Sequence, residues 1–271
     1  MKKMFALLCL IPFTLLANTY YPDGFENMAK TGAIKDQQLK DKIFKVLNSF
    51  HKKVPGKNDV VLEQCAPGTC YSQTILGYSS ARDYLFGMLD LKEDTKGYYL
   101  VDVYCHTEYR GPDVGKLRTP KARVVNCEHT WPQSLFSKDF NNEMQKSDLH
   151  HLFVTRNDAN LVRSSHPFGD NEGKPAVSDC NHSTIGGARN STLVFEPPRE
   201  HKGNVARALF YFSIRYKLPI DDFTERTMRA WNKDDPVNID DLARNDQIYA
   251  LQNNRNPFVD FPELIDLISD F

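Results

Sequence analysis

Hydrophobic residues recur at helical spacing in several stretches of the chain. Leu39, Ile43 and Phe50, with Val46 or Leu47 between them, are separated by lysines and aspartates, and this pattern predicts an amphipathic helix. Similar patterns predict further helices from Ser79 or Ser80 to Leu89, from Asn204 to Tyr216, from Asp222 to Asn232, and from about Asp240 to a point before Pro257.

Strand signals are fewer. Tyr98 to Tyr104 alternates Tyr99, Val101 and Val103, which predicts a strand, and Val124 with Val125 predicts a second short one. The stretch from His166 to Pro198 is dense in Gly, Asn, Ser and Pro and is expected to be largely irregular. We therefore predict a single α+β domain with a small antiparallel sheet and surrounding helices.

The N-terminal residues carry the pattern of a signal peptide. Lys2 and Lys3 precede an apolar run that ends at Leu16, and Ala17 offers a small residue for cleavage. We predict a signal peptide at residues 1–17 and a mature domain at 18–271, exported to the periplasm or secreted, with no membrane association once the signal is removed. Loss of the two lysines moves the formal net charge from −1 to −3. A nucleic-acid partner would then depend on a local basic face rather than on net charge.

The cysteine count is odd once Cys9, inside the predicted signal, is set aside. Cys65 and Cys70 are separated by Pro67 and Gly68, which turn the chain and favour a local disulfide. Cys105, Cys127 and Cys180 compete for a second bridge, and one thiol remains unpaired. The sequence does not choose among them.

A chemically suggestive stretch is CEHTWPQSLF, from Cys127 to Phe136. Glu128 offers a hard oxygen ligand, and the adjacent His129 offers an imidazole that titrates near neutral pH and can accept a proton from water. Trp131 is interpreted as a packing residue. Alone, Glu128 and His129 would more often be an exposed acid beside a hydrogen-bonded histidine, so the rest of the chain decides.

A second stretch, SDLHHLFVTRNDANLVRSS, runs from Ser147 to Ser165. We expect irregular structure at first and a helical turn near Asn157 to Arg163. Asn160 and Arg163 are three residues apart and would share a helix face, with an amide oxygen as metal ligand and a guanidinium as phosphate clamp. Together with Glu128 and His129 they form the set of groups that a metal-assisted phosphodiesterase requires.

The segment from His106 to Arg123 is rich in basic residues among glycines and prolines and is expected to form a mobile loop. A solvated surface and phosphate contact are equally plausible roles for it. Its candidates for substrate binding are Lys116, Arg118, Lys121 and Arg123, with Lys138 as a further one beyond the motif.

Taken together, these motifs resemble the bacterial endonuclease I family of periplasmic and secreted non-specific nucleases, whose site is a ββα-metal motif, also called a His-Me finger. The resemblance covers most of the chain after Tyr71. It rests on YSSARDYLF from Tyr78, VDVYC from Val101, CEHTWPQSLF, SDLHHL, NLVR from Asn160, and NNRNPFVDFP from Asn253.

The resemblance implies a role for each site residue. His129 would be the general base that activates water, and Glu128 and Asn160 would ligate one Mg²⁺ or another divalent cation such as Mn²⁺ or Ca²⁺. The expected reaction is hydrolysis of DNA to 5′-phosphate ends with little sequence specificity. The sequence does not decide whether RNA is cleaved as well, or which of the two is preferred. Arg163 would touch the scissile phosphate. A monomer is expected.

One departure from the family pattern concerns phosphate binding. Known members carry a long insertion between EH and DLHHL that includes a phosphate-binding Arg, whereas here Ser137 to Lys146 is short and holds no Arg. Lys138, Lys146 or Arg163 could take that role.

Two other functions were weighed against the nuclease. A secreted zinc hydrolase would use His129, His150 or His151, and His182, although adjacent histidines point in different directions and more often make structural hydrogen bonds. A group of His166, Cys180 and His182 matches no common zinc spacing. A non-catalytic nucleic-acid-binding protein would keep the scaffold and the affinity without cleavage.

Overall fold

The computed structural model describes residues 19–188 and 192–271, so the predicted signal peptide, residues 1–17, lies outside the described residues. The helices are α1 (Phe25–Thr31), α2 (Asp36–Asn48), α3 (Tyr78–Tyr84), α4 (Asn142–Lys146), α5 (Asn157–Arg163), α6 (Arg199–Tyr216), α7 (Asp222–Asp234), α8 (Ile239–Gln252) and α9 (Pro257–Asp260). The strands are β1 (Phe50–Lys52), β2 (Val60–Leu62), β3 (Lys92–Asp94), β4 (Gly97–Val101), β5 (Glu108–Tyr109), β6 (Val125–His129), β7 (Leu152–Arg156), β8 (Lys174–Pro175), β9 (Thr184–Gly187) and β10 (Leu193–Glu196).

The predicted helices are present, with shifted ends. Phe50, predicted as the last position of the first helix, instead begins β1. The helix predicted to start at Ser79 or Ser80 has Gly77 as its N-cap, and a π-helical turn at Leu85–Leu89 follows α3 directly. The strand predicted to reach Tyr104 ends at Val101, because the buried Asp102 carboxylate accepts backbone N–H bonds from the next few residues and turns the chain.

The segment bearing Glu128 and His129 is a strand followed in space by a second strand and a helix. β6 pairs antiparallel with β7, so that Glu128 lies opposite Phe153 and His129 opposite Leu152. β7 runs into α5 without a loop, since Arg156 ends the strand and Asn157 begins the helix. The helix at Asn157–Arg163 was predicted. The strand before it was not, and it replaces the irregular structure that was expected there.

Alternation along β6 separates the two motif side chains. Val125 and Cys127 face one hydrophobic cluster, which includes Leu85 and Phe86 beside α3, and His129 follows them on the same face. Glu128 points to the opposite face, toward α5. Adjacent residues in the sequence therefore address different sides of the sheet.

α6 is the central support of the larger hydrophobic cluster. It is buried along most of its length, and Phe212 stacks on Trp131 at 5.5 Å and lies 4.4 Å from His151, both measured between ring centroids. The position of Trp131 agrees with its interpretation as a packing residue. α6 thus packs against the segment that connects β6 to β7.

The expectation of irregular structure from His166 to Pro198 was wrong in part, because β8, β9 and β10 form an antiparallel sheet. The glycines that suggested a loop serve close approach between strands: a Cβ on Gly173 would lie 2.0 Å from the carbonyl oxygen of Ile185. Residues 189–191, within the predicted irregular stretch, lie outside the described residues.

The basic segment before β6 is tied to the fold at several points. A Cβ at Gly87 would meet the backbone nitrogen of Leu117 at 2.4 Å, so the segment lies directly on the π-helical turn. Arg110 pairs with Asp94 and Glu108, and Arg118 donates to the carbonyl of Pro112. The expected mobile loop is therefore anchored at these contacts.

Two disulfides connect described residues. Cys65 bonds Cys70, as predicted, and Cys105 bonds Cys180. Cys127 is the unpaired thiol; it is buried, and burial raises its pKa. Helices and small antiparallel sheets form one compact body, consistent with the α+β prediction. Within the described ranges, every helix is too short or too polar to cross a bilayer.

Candidate active site

Glu128 is a buried carboxylate with an incomplete set of partners. Its Oε1 lies 3.2 Å from Nη1 of Arg163, yet Oε1 accepts no hydrogen bond among the described residues. Burial raises the pKa of Glu128, although the positive charge of Arg163 lowers it in part. Arg163 is a single positive partner without a well-aligned hydrogen bond to Oε1, so it offsets only part of the cost of burying the Glu128 carboxylate.

Other unsatisfied polar atoms surround Glu128. The hydroxyl of Tyr104, Oγ1 of Thr130 and Nε of Arg163 are all buried without a hydrogen-bond partner in the described part of the chain. Buried polar groups are normally hydrogen-bonded, and exceptions mark an ion, water or ligand that completes the network. The cluster is therefore polar and incomplete, as expected where water or a ligand completes the hydrogen bonding.

His129 is oriented by two hydrogen bonds. Its Nε2 lies 3.1 Å from the carbonyl oxygen of Lys146, and its Nδ1 lies 3.3 Å from the side-chain nitrogen of Gln133. A carbonyl can only accept, so Nε2 carries the proton and Nδ1 keeps its lone pair. Burial and the neighbouring His151 hold the pKa of His129 well below its ordinary value, so the ring is neutral.

Arg163 lies beneath the site rather than at its surface. It is 2% exposed, with Nη1 donating to the carbonyl of His129 at 3.2 Å and Nη2 to that of Thr130 at 2.6 Å. Its guanidinium also stacks on Phe168 at 4.3 Å. These contacts fix the end of β6 against α5. The hypothesis that Arg163 contacts the scissile phosphate stays a prediction.

Asn160 lies one turn before Arg163 on α5. The helix places both side chains on one face, as the spacing predicted. Its backbone carbonyl accepts from Ser164 N, whereas its side-chain amide makes no hydrogen bond within residues 19–188 and 192–271. The Asn160 amide thus has no partner within these ranges, and it lies on the same helix as Arg163, which contacts Glu128. Its oxygen is available as a metal ligand.

The histidines of the second stretch have structural partners. His150 Nε2 bonds the carbonyl of Asn254 at 3.1 Å, and His151 Nε2 bonds that of Gln145 at 2.8 Å. Burial lowers the pKa of each to about 4. Both imidazoles are therefore neutral and engaged, which agrees with the structural interpretation.

The zinc alternatives find no support in this geometry. His182 stacks against His106 at 4.3 Å, and neither ring contacts His129. Cys180 is held in a disulfide. Among the residues that the structure describes, no three His, Cys, Asp or Glu side chains converge in a way that could hold a metal.

The basic residues predicted to bind substrate do not gather around His129. Lys121 and Arg123 are exposed at the start of β6, the end opposite His129, and Lys116 lies 5.7 Å from the ring centroid of Tyr98. Lys138 is exposed in the connection between β6 and α4. None of these, nor Arg118, makes a described contact with Glu128, His129 or Asn160.

Two neighbours of His129 were not singled out from the sequence as site residues. The ring centroid of Tyr78 lies 5.4 Å from that of His129, and Nζ of Lys146 lies 4.5 Å from the centroid of Tyr78. Lys146 was only one of three options for phosphate binding, and Tyr78 was only part of a matching segment. Lys146 is half-buried and has no acidic partner among the described ion pairs, and its ammonium lies over the ring that contacts the base.

Comparison with known proteins identifies the family of this chain. Residues 68–263 match the Endonuclease I family, and the chain belongs to that family. It is 33% identical over 162 residues to an extracellular ribonuclease of Bacillus subtilis, covering 53% of each chain. It is 29% identical over 184 residues to an extracellular deoxyribonuclease of Aeromonas hydrophila, covering 58% of this chain and 79% of that protein. A periplasmic deoxyribonuclease of the same organism is 28% identical over 125 residues, 46% of this chain and 51% of that one. This chain thus spans about half the length of the ribonuclease that it matches.

Proposed function

We propose that this protein is an exported, metal-dependent endonuclease that hydrolyses phosphodiester bonds of DNA, and also of RNA, to 5′-phosphate ends with little sequence specificity. The observation that carries the proposal is the neutral His129, whose Nδ1 keeps a basic lone pair next to the exposed Gln133, together with the under-compensated Glu128 on the adjacent position of β6. Relatives named as extracellular and periplasmic nucleases support export and both substrate classes.

In the proposed reaction, His129 removes a proton from water through Nδ1. The Lys146 carbonyl holds the ring in the tautomer that this step requires, and it favours the imidazolium that forms after proton transfer. The side-chain amide of Gln133 occupies Nδ1 of His129 in this structure. In the reaction, the attacking water takes the place of that amide. Because His129 and Glu128 face opposite sides of β6, the base stays outside the ligand set.

The residues present fit a divalent cation. Glu128 Oε1 and the amide of Asn160 supply one carboxylate and one neutral oxygen, the ligand type that Mg²⁺ prefers, with waters completing the shell. The cation would stabilise negative charge on the phosphate and on the leaving 3′ oxygen. Arg163 holds Glu128 and the carbonyl of His129 in place, so we assign it a positioning role.

Lys146 is our choice for the phosphate contact that the family Arg supplies elsewhere. Its ammonium lies over Tyr78 next to the base, whereas Lys138 has no described contact there and Arg163 is buried. Contacts of this kind fall on phosphate rather than on base edges, so they confer affinity without sequence selection and weaken with salt.

The test is nicking of supercoiled plasmid with and without EDTA. Wild-type protein should nick in Mg²⁺ and lose activity in EDTA, and His129→Ala should lose at least about 100-fold. His182→Ala is the matched control, because His182 is exposed and away from the site. Cleavage that survives EDTA, or full activity in His129→Ala, would contradict the mechanism. A loss in His182→Ala would favour the zinc hydrolase, and affinity without cleavage in any divalent metal would favour the non-catalytic relative.

A further inference from the structure

A small apolar pocket lies directly beside the proposed active site. Its volume is about 140 Å³. Its apolar walls include Trp131, Pro132, Leu135, Phe168 and Ile220. A cavity of about this size in another protein admits a benzene ring, so one six-membered ring fits here.

The pocket is continuous with the site along two segments of chain. The first, Thr130 to Leu135, begins immediately after His129, and its turn carries Gln133 on the base and Leu135 at the pocket. The second begins at Arg163, which pairs with Glu128 and also lines the pocket. A nucleic-acid strand whose phosphate lies at the active site would place a neighbouring base across the turn formed by Thr130 to Leu135.

Two residues that line the pocket carry polar atoms without a partner in the part of the chain that the structure describes. Oγ1 of Thr130 and Nε of Arg163 are buried without hydrogen bonds among the described residues, and both residues line the pocket. An apolar pocket with a few polar groups is the usual design of a site for a small ring with polar edges. A nucleobase has such edges, and a hydroxyl and an N–H could both be satisfied by its carbonyl oxygens.

We propose that this pocket binds one unpaired pyrimidine base of the nucleotide next to the scissile phosphate; this rests on the proposed function. Bases of a duplex remain stacked and paired, so a duplex must flip a base to use the pocket, whereas a single strand presents one freely. The pocket therefore adds a preference for an unpaired strand, in RNA or DNA, with a pyrimidine at this one position, to phosphate contacts that do not select sequence.

The first test compares Ser165→Phe with Ser178→Phe. Ser165 is exposed and lines the pocket, and Ser178 is exposed and does not line it. The readout is kcat/KM on oligodeoxythymidylate divided by kcat/KM on duplex plasmid. Ser165→Phe should lower this ratio by about 10-fold, the scale of losing one buried base, and Ser178→Phe should leave it unchanged. If the two variants give equal ratios, the proposal that the pocket binds a base is wrong. Absence of cleavage by wild type on every substrate overturns the proposed function instead.

The second test does not use activity. Trp131 lines the pocket, and Trp231 is the other tryptophan of the chain, so Trp231→Phe isolates the fluorescence of Trp131. Thymidine 5′-monophosphate, added in EDTA, should quench this fluorescence saturably, and Ser165→Phe in the same background should abolish the saturable part. The same saturable quenching in both proteins, or purely collisional quenching in both, would overturn the proposal.

Discussion

Oε1 of Glu128 and Nη1 of Arg163 lie 3.2 Å apart, and both side chains are at least 97% buried. The pair explains how the Glu128 side chain can remain buried with a single charged partner. The positive charge of Arg163 offsets part of the cost of burying the Glu128 carboxylate, but Oε1 remains without a hydrogen bond from the described residues. A carboxylate that is held in place, but not saturated by protein donors, is suited to bind the proposed cation.

Removal of the Arg163 charge should make stability depend on metal. Arg163→Met leaves Glu128 buried and unpaired, so we expect a loss of about 3–5 kcal/mol in EDTA. Saturating Mg²⁺ should restore more stability to the variant than it adds to wild type, measured by urea denaturation. Arg156→Met, which breaks a more exposed pair with Asp158, is the control and should cost about 1 kcal/mol or less. Equal Mg²⁺ stabilisation of the two variants would contradict this account.

Asp148 is expected to be the most sensitive acid outside the site. Its Oδ2 accepts from the hydroxyls of Tyr211 and Tyr216, and its Oδ1 accepts from Gln252, each at 2.8 Å. Burial alone would raise its pKa, but His150, His151 and Gln252 bring the pKa below its ordinary value. Asp148→Asn turns one acceptor into a donor facing other donors, so we expect about 2–4 kcal/mol of destabilisation by urea titration. The exposed Asp139→Asn should change stability by less than about 0.5 kcal/mol. Similar values for both would show that the Asp148 network is not required.

How far sequence alone reaches is visible in particular residues. Glu128, His129, Asn160 and Arg163 could be proposed as site residues because their spacing is local and their side chains indicate the chemistry. Strand β7 was missed, although Leu152 to Arg156 is rich in β-formers, because the polar residues around it favoured a broken turn.

Contacts between distant segments could not be inferred from spacing. Tyr78 and Lys146 meet at His129 across 68 residues of chain, and no periodicity reports that meeting. The choice of Cys105 and Cys180 as partners, which leaves Cys127 free, likewise depends on the three-dimensional path. Arg163 was expected at the phosphate because arginine suits phosphate, and that contact stays a prediction. Its contacts with Glu128 and with backbone carbonyls depend on its burial at the end of α5, which the spacing does not indicate.

His201 should control part of the acid sensitivity of the fold. Burial lowers its pKa to about 3, and its Nε2 has no partner among the described residues. The folded state therefore binds the proton less readily than the unfolded state, so stability falls as pH drops from about 6.5 toward 3, by at most about 1.4 kcal/mol per pH unit from this residue. His201→Phe should flatten the plot of unfolding free energy against pH in that window. An unchanged slope between pH 6 and 4 would assign the acid sensitivity to other groups, such as His150 and His151.

The central claim is that Glu128 and Asn160 share one divalent cation while His129 stays outside its coordination shell. The most direct measurement is a crystal structure of the protein with Mn²⁺, which replaces Mg²⁺ and is located by its anomalous scattering. The account predicts one anomalous peak about 2 Å from a carboxylate oxygen of Glu128 and from Oδ1 of Asn160, with Nδ1 of His129 free for water. A peak ligated by His129, or an active protein whose ion lies away from Glu128 and Asn160, would contradict it.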